Sequence, residues 1–102
     1  MTKLTELQGS PEHLFNVLSG RYLGMRQKQL IQTLLAYGWQ PIGKLSVLYS
    51  SKDRGLMSIA QMVALTYLVP KGPGFMLSPK LIDFLGVDMA EYAKLVKTHY
   101  RG

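Results

Sequence analysis

The chain has 102 residues, enough for one domain with a core of its own. It carries a formal net charge of +6, a hydrophobic share of 47% and no cysteine, which excludes disulfides, thiolate zinc sites and cysteine nucleophiles. The opening Met1-Thr-Lys-Leu-Thr-Glu6 lacks the charged-then-apolar order of a signal peptide, so a cytoplasmic address is the simplest expectation.

The charge is placed unevenly. Between His13 and Ile82 the only acid is Asp53, set against Arg21, Arg26, Lys28, Lys44, Lys52, Arg54, Lys71 and Lys80. Cations gathered this way attract polyanions when they share a face, and otherwise form an ordinary solvated surface.

Glycine and proline divide the chain into short elements. Ser10-Pro11 reads as a helix start and Gly20 as its end, giving an N-terminal helix over 10–20. After Gly24 a second helix carries Leu30, Ile31, Leu34 and Leu35 inward, and Gly38 stops it. Trp39 is then expected to pack over a helix end. Residues 41–50 fit a helix opened by Pro41; residues 44–50 also alternate like a strand, with 51–55 as a hairpin turn. Helix is preferred. Ser58-Ile-Ala-Gln61 has capping-box spacing and predicts a helix from 59 to about 67. Residues 55–70 lack charge but fall short of the ~20 apolar residues that span a bilayer, so a core segment is expected and no membrane. Pro70-Lys-Gly-Pro-Gly74 is a loop between two β-prone pieces, hence a hairpin over 67–78. Ser78-Pro79 repeats the helix-start device, Gly86 ends that helix, and Asp88-Met-Ala-Glu91 caps a last one, so that 79–100 is helical.

The segment Tyr67-Leu-Val-Pro-Lys-Gly-Pro-Gly-Phe-Met-Leu-Ser-Pro-Lys80, followed by Phe84-Leu85, resembles the wing and following helix of winged helix-turn-helix DNA-binding proteins. The resemblance implies an α-rich α+β single domain, 1–102, with a helix-turn-helix-like core over 25–68, a β-hairpin wing and a C-terminal helix. Residues 25–37 and 41–50 would be the first two helices of the motif, 58–68 the recognition helix and 70–74 the wing tip. The connection from Ser50 to Met57 is longer than is usual between the second and third helices. Segment 56–68 is read as the recognition helix, with a core segment as the alternative.

The function expected on this basis is duplex DNA binding, in a small transcriptional or replication regulator. Phosphate contacts fall to Arg26, Lys28, Lys44, Lys52 and Arg54, with Lys71 on the wing; Ser58, Gln61 and Thr66 supply what base reading there is. With no cation in 58–68, backbone contacts should dominate. Met89, Tyr92, Ala93 and Val96 form a stripe on the last helix that suits a homodimer on a palindromic site. Tyr22, Tyr37, Trp39 and Tyr49 offer a competing single-strand reading as stacking platforms, against a packing role. His13 and His99 have no catalytic partner motif, the carboxylates form no metal set, and Gly72 and Gly74 make no phosphate loop, so no enzyme, metal or cofactor is expected. The alternative is a small adaptor or inhibitor that meets an acidic protein partner through an adaptable patch containing Met57, Met62 and Met76. Burial of Met62 and Tyr67 would mark them as core.

Overall fold

A computed structural model describes Asn16, Leu18 and residues 23–101. The expected helix start at Ser10-Pro11 and its end at Gly20 lie outside the described residues; Asn16 and Leu18 are helical, and Leu18 is fully buried. Helix α1 (Met25–Tyr37) opens where the Gly24 amide donates to Gln27 Oε1 at 3.0 Å, and it buries Leu30, Ile31, Leu34 and Leu35. Gly38 stops it at φ +77°. No other residue fits there: a Cβ would lie 2.6 Å from the Val96 backbone nitrogen, and the backbone angle disfavours one in any case.

A short strand, β1 (Trp39–Pro41), follows, and it was not anticipated. Helix α2 (Ile42–Ser46) is only five residues long, and residues 47–51 connect it to α3 (Lys52–Ala64). The hairpin turn considered at 51–55 is therefore the first turn of a helix. Ser51 caps it, its hydroxyl accepting from the Arg54 amide at 3.2 Å. Ser58 does not start the helix despite its capping-box spacing. It lies mid-helix with its hydroxyl 2.6 Å from that of Tyr49. Gly55 is small because α2 crosses there: a Cβ would meet the Ser46 Cα at 3.0 Å.

Strands β2 (Leu68–Lys71) and β3 (Gly74–Leu77) form the expected hairpin, but the loop expected over 70–74 is only a two-residue turn, Gly72 at φ +58° ahead of Pro73, because Pro70 and Lys71 pair with Phe75 and Gly74. Strand β1 pairs antiparallel with β3 (Trp39 opposite Met76), so the sheet order is β1-β3-β2. Leu68 lies opposite Leu77, and both turn into the core. Ser78 then caps α4 (Pro79–Leu85), accepting from the Leu81 amide while donating to the Thr66 carbonyl. Gly86 closes α4, and Asp88 caps α5 (Met89–His99) through the Ala90 and Glu91 amides. The described part is thus a helix-rich α+β domain with a three-stranded antiparallel sheet. Met62 and Tyr67 are buried in its core, as core positions should be.

Helix α5 is fastened to the sheet by one side chain. The fully buried Tyr92 hydroxyl donates to the Gly38 carbonyl at 2.7 Å and accepts from the Leu77 amide at 2.9 Å. Burial holds its proton well above the ordinary tyrosine value of 10.0, only partly offset by the bond from Leu77. The raised folded value means that the unfolded chain ionises first. This contribution to stability is whole below pH 10.0 and declines as pH rises beyond it. Tyr92→Phe leaves a buried amide and a buried carbonyl unpaired and should cost about 2 kcal/mol at neutral pH. It should also flatten part of the alkaline decline; urea unfolding of both proteins at neutral and alkaline pH measures both effects.

Candidate nucleic-acid interface

The corner where α2 meets α3 concentrates positive charge. Lys44 closes the last turn of α2, Lys52 and Arg54 stand in the first turn of α3, and all three are exposed. The free amides at the start of α3 add the positive end of its dipole. Cations there oppose the dipole, at a cost of roughly 0.3–1 kcal/mol each, and Asp53 between them offsets only part of it. Helix spacing then turns Asp53, Met57, Ala60, Gln61 and Ala64 outward, and all five are exposed. Opposite them Gly55, Ile59 and Met62 enter the core.

Beside this face lies a polar cluster that brings Arg26, Ser58 and Gln61 together. Gln27, 8% exposed, donates from Nε2 to Gln61 Oε1 at 3.0 Å, which tethers the exposed Gln61 through its carbonyl. The Tyr49 hydroxyl, bonded to Ser58, is raised above the ordinary tyrosine range by burial, with the Ser58 bond and the nearby Arg26 charge pulling the other way. Arg26 itself is exposed, with Nη1 3.5 Å from Gln29 Oε1. Ser58 is thereby committed inward, and of Ser58, Gln61 and Thr66 it is Gln61 that stays on the exposed face of α3.

Three expected contacts lie elsewhere. Thr66 follows α3 in a turn at φ +63°, unusual for a β-branched residue. Its hydroxyl bonds the Leu65 carbonyl and accepts from Lys80 Nζ at 3.2 Å, so it belongs to a turn network and not to the outer helix face. Lys28 is half-buried on α1. Lys71 is exposed at the end of β2, next to the hairpin turn. Its carbonyl accepts from Trp39 Nε1 at 2.8 Å, and its ammonium stands 4.9 Å from the Tyr100 ring centroid.

The stripe expected to pair two copies is divided. Tyr92 and Val96 are spent in the domain's own core, while Met89 and Ala93 remain exposed. Trp39, offered as a stacking platform, is 2% exposed and packs edge-on to Tyr100 with centroids 5.1 Å apart. It thus packs against the residue that ends α5. Tyr49 is half-buried, Tyr37 is exposed with His99 edge-on at 5.5 Å, and Tyr22 lies outside the described residues. Among the described residues no three acidic or histidine side chains cluster as metal ligands, and no helix is long and apolar enough to cross a membrane.

Sequence reasoning missed Gln27, and it gave Tyr49 a stacking or packing role without its bond to Ser58. Gln27 alone carried a signal, since it stands three residues after Gly24, where a capping side chain belongs. Gln27→Ala removes both the cap and the tether of Gln61. It should cost about 1–2 kcal/mol and release the Gln61 side chain, which amide NMR would register as averaging of its NH2 shifts. Comparison with protein families, with curated proteins and with solved structures finds no match for this chain.

Proposed function

We propose that the domain is a winged helix that binds duplex DNA, held mainly by its phosphates. The observation that carries this reading is the order α1-β1-α2-α3-β2-β3 with sheet order β1-β3-β2. It leaves α3 with a free outer face between a cationic corner and a hairpin bearing a lysine. In this reading α3 enters the major groove and its N-terminal turn sits over the backbone, with Lys44, Lys52 and Arg54 as phosphate contacts. Arg26 and Lys28 would extend the footprint along α1. The small outward side chains Ala60 and Ala64 let the helix lie close to the bases, and Met57 suits a thymine methyl. Gln61, its carbonyl held by Gln27, would donate to an acceptor such as a purine N7. Lys71 would meet a phosphate or a narrow minor groove beside the helix.

A second reading has one observation in its favour. Val47 and Met57 are 74% and 73% exposed at the same cationic corner, which also suits docking on an acidic protein. Absence of duplex binding at low salt selects this alternative.

Binding should weaken steeply with salt, by about 0.9 log units per log unit of salt for each phosphate neutralised. Lys52→Ala and Lys71→Ala should each reduce that slope by about one and barely change stability. The matched control is Lys94→Ala, an exposed lysine on the side of α5 turned away from the core. Lys97 is unsuitable because it shares a groove with Lys71. Equal loss in all three variants would mean that only net charge matters, and the assignment of this face would fail.

A further inference from the structure

A groove of about 590 Å³ lies between the hairpin and α5, lined by Lys71, Met76, Ala93, Val96, Lys97 and Tyr100. Its size falls within the roughly 300–1,000 Å³ typical of small-molecule sites. Met76, Ala93 and Val96 supply an apolar floor. Lys71 comes from the hairpin and Lys97 from the helix, and no described carboxylate lines the groove to neutralise them. Tyr100 forms a fixed wall, because its ring packs edge-on to the buried Trp39. The Lys71 ammonium is drawn over that same ring, 4.9 Å from its centroid, and so is held at the groove.

We propose that this groove binds a small apolar carboxylic acid. Its hydrocarbon body lies on Met76, Ala93 and Val96, and its carboxylate is received by Lys71 and Lys97. Charge selects the ligand: an apolar floor alone would accept any hydrocarbon, whereas two ammonium groups without a counter-ion favour an anion and repel an amine. Ammonium groups act as point charges, which suit a compact headgroup; the planar bidentate recognition provided by arginine is absent. This site is read on the protein alone and stands or falls independently of DNA binding.

The test is titration of the full chain, without DNA, by octanoate and by octylamine of equal chain length. Trp39, the only tryptophan, reports through its contact with Tyr100, and calorimetry gives the stoichiometry. Expected are saturable one-to-one binding of octanoate, no binding of octylamine, and at least about tenfold weaker octanoate binding by Lys71→Met/Lys97→Met. Methionine keeps the aliphatic stems, and both positions are exposed, so the fold should survive; circular dichroism checks it. Ala93→Phe, which fills the groove from the helix side, should abolish binding. Equal binding of acid and amine, an unaffected double variant, or no binding of octanoate would each overturn the proposal. So would a doubled sedimentation mass that Ala93→Phe returns to that of one chain, because the groove would then be covered by a second copy.

Discussion

The Tyr92 hydroxyl joins three parts of the chain that are distant in sequence: the end of α1 at Gly38, the end of β3 at Leu77 and the first half of α5. Both partners are backbone groups at the ends of elements, Gly38 closing α1 and Leu77 closing β3, and burial denies them water. The arrangement demands that α5 approach Gly38 so closely that no side chain fits there. From that contact the rest follows. Helix α5 covers the sheet, Tyr100 at its end reaches Trp39, and Trp39 bonds the Lys71 carbonyl next to the hairpin turn. The hairpin is therefore braced beside its turn by a chain of contacts that runs back to Tyr92.

The α2–α3 corner is built with less regard for stability. Lys52 and Arg54 stand where a helix prefers acids, and Met57 and Val47 expose most of their apolar surface. Selection for folding alone would improve these positions; tolerance of their cost is what a binding surface requires. By contrast, the neighbouring polar groups are well satisfied, with Gln27, Tyr49 and Ser58 bonded and no buried side-chain polar atom among the described residues without a partner. A rigid polar backing under an exposed, unoptimised cationic face is the arrangement expected of a site that must hold its geometry before a partner arrives.

Local chemistry made much of the architecture legible. Ser78-Pro79, Gly86, Asp88 and Gly38 each impose a backbone requirement that few other structures satisfy, and each ends or begins a helix as read. Strand β1 was invisible because three residues cannot show alternation, and its pairing partner lies more than thirty residues away, at 74–76. The start of α3 was misplaced because Ser58 has capping-box spacing, while Ser51, which caps the helix, was read into a turn. Lys52-Asp-Arg-Gly55 has the composition of a turn, while the reason for Gly55 is the α2 crossing, a tertiary fact. At the candidate interface the cations could be counted in the sequence. Their grouping could not, since Ser58 and Thr66 are drawn into local networks and Gln61 is positioned by a residue 34 places earlier. The groove beside α5 had no sequence signature, being assembled from the hairpin and the last helix.

We propose that the α2–α3 corner, the outer face of α3 and the hairpin form one DNA-facing surface. Amide chemical-shift mapping with a short duplex tests it residue by residue. The largest shifts are expected on residues 44–61 and 70–74, with α4 and the outer side of α5 around Lys94 unperturbed. Shifts centred on α4 and α5, with α3 silent, would contradict it.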